Sequence, residues 1–506
     1  MAARPEFVVT VFTALHLGAS FVNQLVLAYL FGVSIEMDAF LTAGALPLTI
    51  VGLVIGELGF VLVPLLSHRR VQEELSEVAS RLFSLLAVGG LALGLLGLAG
   101  HGWILRLTTS SDIPPATLEL ALALAPWIWL LVGLNIVCSF FTGLHHFHRR
   151  FTCPAVVLAF PYLGMIVGGL GWAPEVGIRS VVYGWLAGTF LKAYILGAGV
   201  WRESGLSFRW SFRHRANREL GVSLLPLGVA LLPFTVFPVL DAYWASGLPH
   251  GSLSTLGYAS RIVLALTTLA VQGIAVVLFP AITANGVAGE REQFRQRLSQ
   301  ALQTIVLIIL PVAALTAALR VPLLEFLFER GRFDRADTLA VAGVLPWYLL
   351  GMLGMAPMNV ISRGFFALRD YRTPAGLGLV SLGLYAALCA ALTPQLAQVG
   401  IAVAYAVTWL LTLFLQAYVL GRAAGKLLDE ELLIHVVKVG ASALLAAVVA
   451  VALSDGLEPR LGLFVGLAVS GLASLLVFAG LSYFVFRVAH LRGLVAAAAK
   501  RAGVVG

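Results

Sequence analysis

Charge is scarce in this chain. Only 11% of its 506 residues are Asp, Glu, Lys or Arg, 60% are hydrophobic, and the mean hydropathy is +0.95. That balance excludes an ordinary soluble domain and a disordered segment. Cysteine is almost missing: Cys138, Cys153 and Cys389 are scattered and odd in number, which excludes a disulfide framework and a thiolate metal site. Long polar stretches are missing as well. No gap between apolar runs much exceeds about 20 residues, which leaves no room for a soluble catalytic domain. A Walker-type phosphate loop is absent, which excludes ATP-driven pumping by this chain. The first apolar run is too long for a cleavable signal peptide and has no small-residue cleavage site. It reads as a membrane span.

What is present is one pattern repeated. Apolar stretches return about fourteen times, each near the roughly 20 residues that cross a bilayer as a helix. The expected spans are 7–31, 39–66, 82–102, 117–141, 153–171, 180–200, 220–243, 254–283, 298–319, 338–361, 375–393, 398–421, 433–454 and 461–486. The gaps alternate in charge. One set holds most of the 33 basic residues, among them Arg69, Arg70, Arg149, Arg150, Arg213, Arg215, Arg369, Arg372 and Arg422. The other holds few, such as Arg106, Arg179 and Arg320. The positive-inside rule then puts both termini in the cytoplasm, which requires an even number of spans. The net charge of +8 is mostly this orienting charge, spread over small loops, and does not form a nucleic-acid face.

Two pieces of the chain resemble each other. Val61-Leu62-Val63-Pro64 ends the second span and Val277-Leu278-Phe279-Pro280 the eighth. His148-Arg149-Arg150-Phe151-Thr152-Cys153-Pro154 and Leu368-Arg369-Asp370-Tyr371-Arg372-Thr373-Pro374 stand in corresponding loops, their prolines 220 residues apart. A shift of six spans preserves orientation, so the repeat is parallel. The expected fold is an all-α polytopic membrane protein of about 14 helices, two six-helix lobes plus two C-terminal helices. The lobes are 1–201 and 220–421, with a cytoplasmic linker at 202–219, helices 13 and 14 at 433–486 and a tail at 487–506. Transporters built this way carry substrate between lobes that rock.

Function should lie in the polar residues within spans. His16, Ser20, Asn23 and Gln24, with Thr13, form one stripe on span one. Such a stripe faces a wet cavity or bonds to other helices. Glu57 in span two must be protonated, paired or wet. Arg261 in span eight, with Thr268 and Gln272 on the same face, is the best anion-binding candidate, because its fork suits phosphate. Its rival reading is a structural pair with Asp241. Asp241 and Glu57 are the candidates for ion coupling. Asn135 and Asn359 read as interhelical bonds, and Lys192 and Lys438 as snorkelling side chains. His145, His146 and His148 beside Arg149 read as a basic membrane-surface anchor and not as a metal cluster. Phe328–Asp337 reads as a charged, solvated turn. No cofactor and no metal are expected.

Tyr258-Ala259-Ser260-Arg261, Phe328-Glu329-Arg330-Gly331-Arg332-Phe333-Asp334, Ser362-Arg363-Gly364-Phe365-Phe366-Ala367-Leu368-Arg369-Asp370-Tyr371-Arg372-Thr373-Pro374 and Phe31-Gly32-Val33-Ser34 with Asp38-Ala39-Phe40 resemble the MurJ/MviN family. That family belongs to the multidrug/oligosaccharidyl-lipid/polysaccharide exporter superfamily. The resemblance implies two six-helix lobes and a groove for a polyprenyl tail at helices 13 and 14. It also implies flipping of lipid II across the bacterial cytoplasmic membrane. The family's cavity arginines on helices 1 and 2 have no counterpart in Leu17–Gln24 or Leu46–Gly52, while Arg261 keeps its charge. The implied partners are a polyprenyl-pyrophosphate-linked saccharide, membrane lipids and cell-envelope synthesis proteins. Lipid II or a cell-surface polysaccharide precursor both fit. A drug or cation antiporter of the same superfamily, or a non-transporting scaffold in envelope synthesis, stand as alternatives.

Overall fold

The computed structural model describes residues 5–67, 72–201, 203–209, 215–288, 291–425, 427 and 429–493. They form α1 (Pro5–Phe31), α2 (Ile35–Ser67), α3 (Gln72–Thr108), α4 (Pro115–Phe147), α5 (Thr152–Val157), α6 (Phe160–Val176), α7 (Arg179–Val200) and α8 (Arg215–Ser246). Then follow α9 (Ser252–Ala288), α10 (Arg291–Ala318), α11 (Arg320–Phe328), α12 (Arg335–Ala367), α13 (Arg372–Leu396), α14 (Gln398–Ala424), α15 (Glu430–Leu461) and α16 (Leu463–Gly480). A π-turn at Leu481–Val485 ends the last helix.

Helix is the expected answer, since a lone segment in hydrocarbon must satisfy its own N–H and C=O groups. Among the described residues, 13 helical segments are long and apolar enough to cross a membrane. The remaining expected span, 220–243, falls on α8. Most of the helices overrun the expected spans at one end or both. Thus 82–102 lies inside α3, whose first turns carry Glu73, Glu74 and Glu77. Hydropathy marks the apolar middle of such a helix and not its polar ends.

The internal repeat is written in the backbone. α4 and α12 each have 33 residues, starting at Pro115 and Arg335, with Pro126 and Pro346 at matching positions inside. Arg149 (φ 57°) and Arg369 (φ 59°) are both left-handed, as are Gly177 and Ala397, and Gly205 and Gly425. Each pair is 220 residues apart. Arg149 N–H donates to His146 O at 3.0 Å, and Arg369 N–H to Phe366 O at 3.0 Å. The copies differ at two helix breaks: α10 and α11 part at Leu319 where α3 runs unbroken, and the other break lies between α5 and α6. α5 and α6 are separated by an interruption at Leu158–Ala159, just before Pro161, whereas α13 runs unbroken with Ser381 at the matching position. Proline has no N–H for the ladder, which accounts for the break between α5 and α6.

By contact the chain divides into two compact units. Unit 1 is Met1–Ser254 with Arg330–Asp334, and unit 2 is Thr255–Glu329 with the chain from Arg335 onward. Unit 1 therefore keeps α8, the helix that the repeat counts as the first of the second lobe. α8 packs on α2, where Thr49 Oγ1 donates to Thr235 O at 2.9 Å. The described part of the 202–219 segment is tied down: Ser207 and Arg209 N–H donate to the hydroxyls of Ser80 and Ser84 on α3. The unit 1 core gathers Leu58, Leu62, Leu82, Phe140, Leu144 and Leu196. α6 and α7 cross through Gly164, Gly168, Gly184 and Gly188; a Cβ on Gly164 or Gly184 would overlap the other's carbonyl. In the membrane, where lipid tails are as apolar as leucine, such close backbone approach is what drives helices together.

Unit 2 has its own core of Leu307, Leu315, Val439, Ala443, Ala446 and Phe478, contributed by α10, α15 and α16. Asp429 caps α15 by accepting Leu432 N–H at 2.9 Å, and pairs with Arg295 of α10 at 3.3 Å. α12 and α14 meet where a Cβ on Gly354 would strike the Trp409 backbone.

Candidate functional site

The polar stripe of span one lies on α1, which packs against α5 and α6 along one side. His16 Nδ1 lies 3.1 Å from Leu158 O, a carbonyl at the α5–α6 interruption, and its ring is 5.4 Å from that of Tyr162. Ser20 is half-buried. Asn23 is 1% exposed, and both of its amide atoms are buried without a hydrogen-bond partner. Gln24 Oε1 is likewise buried and unpaired. Buried amides without partners are rare in proteins, and each asks for a water or a ligand. The helix-bonding reading of the stripe thus fits His16, which holds a neighbouring carbonyl, and does not fit Asn23.

Arg261 and Thr268 share α9, both half-buried, in the part of that helix belonging to unit 2. Thr268 Oγ1 is occupied by Leu264 O of its own helix at 2.7 Å. Asp241 is half-buried on α8 in unit 1. The side chains of Glu57 on α2 and Gln272 on α9 lie outside the described residues. His16, Ser20, Asn23 and Gln24 stand together on one helix, while Arg261 and Thr268 stand together on another.

Several sequence expectations change. Among the described residues Asn135 and Asn359 bond within their own helices: each Nδ2 donates at 2.9 Å to the carbonyl four residues back, Leu131 O and Met355 O. Two histidines of the run have partners within the protein. His145 is 1% exposed with Nε2 3.1 Å from Leu196 O, and His148 meets Ser204 Oγ at 3.0 Å, so both fasten the α4 end to α7 and the segment after it. The 328–337 turn is not simply solvated, because Phe328 and Phe333 are buried and Arg332 N–H donates to Tyr29 O at 2.9 Å. Lys192 is 9% exposed, most of its stem being packed within the protein.

One polar group escaped the sequence reading. Asp38 is 6% exposed and accepts the N–H groups of Gly251 at 2.5 Å and Ser254 at 2.7 Å, capping α9 from another helix. A small cavity beside it is lined by Thr42, Thr117, Ser246 and His250. An acid one turn into an apolar helix was the available signal.

The comparisons with known proteins agree with this architecture. A family model described as lipid II flippase MurJ matches residues 27–469. The lipid II flippase MurJ of Burkholderia cenocepacia is 22% identical over 392 residues, covering 74% of this chain and 75% of that protein. A solved structure of lipid II flippase MurJ in an inward closed conformation aligns with a TM-score of 0.80 at 20% identity, covering 94% of this chain and 99% of that one. An inward-facing multidrug resistance transporter of the MATE family in the MOP superfamily aligns with a TM-score of 0.67 at 15% identity, covering 81% of this chain and 95% of that one. With a family match running through nearly all of the membrane helices, the chain belongs to the lipid II flippase MurJ family.

Proposed function

We propose that this chain is a flippase-type transporter that moves a polyprenyl-linked saccharide, lipid II or a cell-surface polysaccharide precursor, across the bacterial cytoplasmic membrane. The observation that carries the reading is the unpartnered Asn23 amide, buried on a membrane helix of a chain matched to the MurJ family over residues 27–469. A saccharide diphosphate offers donors and acceptors that such an amide lacks within the chain. In this reading the substrate-binding residues are His16, Ser20, Asn23 and Gln24 on α1, Glu57 on α2, and Arg261, Thr268 and Gln272 on α9. Arg261 holds phosphate through its guanidinium fork. Asp241 and Glu57 couple the cycle to an ion gradient or membrane potential. The lobes are 1–201 and 220–421, the termini are cytoplasmic, and the C-terminal helices at 433–486, α15 and α16, take the polyprenyl tail.

Complementation tests the reading. The wild-type chain restores growth to a strain depleted of its own lipid II flippase, and Arg261→Ala does not. Restored capsule export without restored growth would assign the polysaccharide precursor instead. If proteoliposomes holding the purified chain translocate neither lipid, the flippase reading is wrong.

A further inference from the structure

The fold continues past α16. After the π-turn at Leu481–Val485, Arg487 takes a left-handed conformation at φ 49° and turns the backbone. Phe486 N–H donates to Leu481 O at 2.9 Å and Val488 N–H to Ser482 O at 2.8 Å, which fixes the turn. Residues 489–493 then resume a helical turn. Val488 is 1% exposed within the unit 2 core, and Phe486 and Leu491 pack against that core from its edge. His490 completes the docking: its Nε2 lies 2.8 Å from Thr304 Oγ1 of α10. The Thr304 hydroxyl already donates its proton to Gln300 O at 2.7 Å, so His490 Nε2 is the donor. The His490 ring stands edge-on to His435 of α15, with centroids 5.9 Å apart at 86°. His435 is 6% exposed, and its Nε2 donates to Gln303 O at 3.0 Å. The segment 486–493 is thus a strap that meets α10 and α15 through a pair of imidazoles.

Both Nε2 atoms are donors, so each neutral ring keeps its lone pair on Nδ1. A proton can be taken up there without breaking either bond; acidification changes charge and not bonding. Two imidazolium rings at this separation repel, and more strongly where little water screens them. Few groups answer that charge. Glu431 of α15 is the carboxylate whose field reaches both rings, and its Oε1 is engaged at 3.4 Å by Gln303 Nε2. α10 carries no ionisable residue between Arg297 and Arg320, α16 and its π-turn carry Tyr483 alone, and Arg492 of the strap lies over that ring at 5.6 Å. Lys438, one turn on from His435, is a further positive charge on α15. Burial pushes the His490 imidazole below its ordinary value, with Glu431 pulling it partway back. A ring that is harder to protonate when docked than when free loses its docking as pH falls below the free value, about 6.5. We propose that the strap at residues 486–493 is a pH-sensitive latch, held on α10 and α15 while His490 and His435 are neutral and released when acid charges the pair. The latch is independent of the transported cargo. On the topology proposed above it faces the cytoplasm, and acidification there is its signal.

Hydrogen exchange of the purified full chain in phosphatidylcholine nanodiscs tests the latch, read by mass spectrometry and corrected for the intrinsic pH dependence of amide exchange. In wild type the peptide spanning 486–493 loses about tenfold or more of its protection between about pH 7.5 and about pH 5, while a peptide within α12 keeps its own. His490→Gln retains a side-chain N–H for Thr304 and cannot take up charge, so its strap stays protected at both pH values. His435→Gln leaves the strap itself unaltered, so it remains decisive should His490→Gln dock poorly. Its acid loss shrinks to about threefold, half of the wild-type change on a logarithmic scale. Equal wild-type protection at the two pH values overturns the latch. So does an acid loss that survives in full in both variants, since it would then arise from groups other than the pair. A loss shared by α12 overturns it too, because that is unfolding of unit 2 and not release of the strap.

Discussion

At the scale of residues, the telling groups are those whose chemistry is not satisfied locally. An unsatisfied buried amide costs about 1–3 kcal/mol. Asn23→Leu should therefore raise the thermal midpoint of the purified protein and abolish transport; a destabilised Asn23→Leu would mean that the amide has a structural partner. Arg261 is a different case. Arg261→Lys keeps the charge and loses the fork. Reduced transport at normal abundance, with none in Arg261→Ala, fits phosphate binding. Rescue of transport in Arg261→Ala by Asp241→Ala would make the pair structural. Outside the membrane, the Asp370 carboxyl responds to pH as well. Partial burial pushes its carboxyl up, but the Thr373 hydroxyl and the N–H groups of Thr373 and Arg372 outweigh this and hold it below its ordinary value. A depressed carboxyl stabilises above its unfolded pKa and loses that contribution as pH falls through the folded value. Wild type should lose more of its thermal midpoint between about pH 5 and pH 3 than Asp370→Asn does; equal losses would remove Asp370 from the account. Sequence spacing found the α1 stripe because four polar residues on one apolar helix are conspicuous. It could not tell that His16 has a carbonyl to hold and Asn23 has nothing, since both carry the same polarity in a hydropathy profile.

At the scale of elements, length and apolar character were legible and ends were not. Glycine spacing was legible and went unread: Gly164-Met165-Ile166-Val167-Gly168 and Gly184-Trp185-Leu186-Ala187-Gly188 are small-residue motifs of the kind that let membrane helices touch. Gly184→Val should separate α6 from α7, costing about 1–3 kcal/mol of overpacking and shifting the protein toward aggregation in size-exclusion chromatography. A monodisperse Gly184→Val would mean that the crossing is loose. The α5–α6 interruption was hidden for another reason. Pro161 lies within an apolar run that reads as one span, and only its missing N–H divides it. Arg149 and Arg369 pay for their left-handed turns, since non-glycine residues there cost about 1–2 kcal/mol. Glycine at either position should therefore raise stability, even though both arginines lie in orienting loops.

At the scale of the whole molecule, topology follows from charge. Reporter fusions at His148 and Arg369 should give a cytoplasmic signal, and fusions at Asp112, Gly251 and Asp334 a periplasmic one; one clear inversion would break the fourteen-span order. The fold class and the repeat were legible because both rest on features that recur: apolar length, basic loops and the Pro154 and Pro374 motifs. Contact grouping was not legible. Periodicity says that α8 is an apolar helix, but the Thr49 to Thr235 bond that sets it on α2 is a tertiary fact with no local signature. The left-handed positions have a consequence for the repeat. Ala397 holds a positive φ where its counterpart is Gly177, so the bend is kept in both copies without glycine in both. A half-chain of six spans returns to the side from which it started and inserts in the same sense as its copy. The half-chain is thus the unit that two like subunits would share, and the paired bends mark where each copy turns.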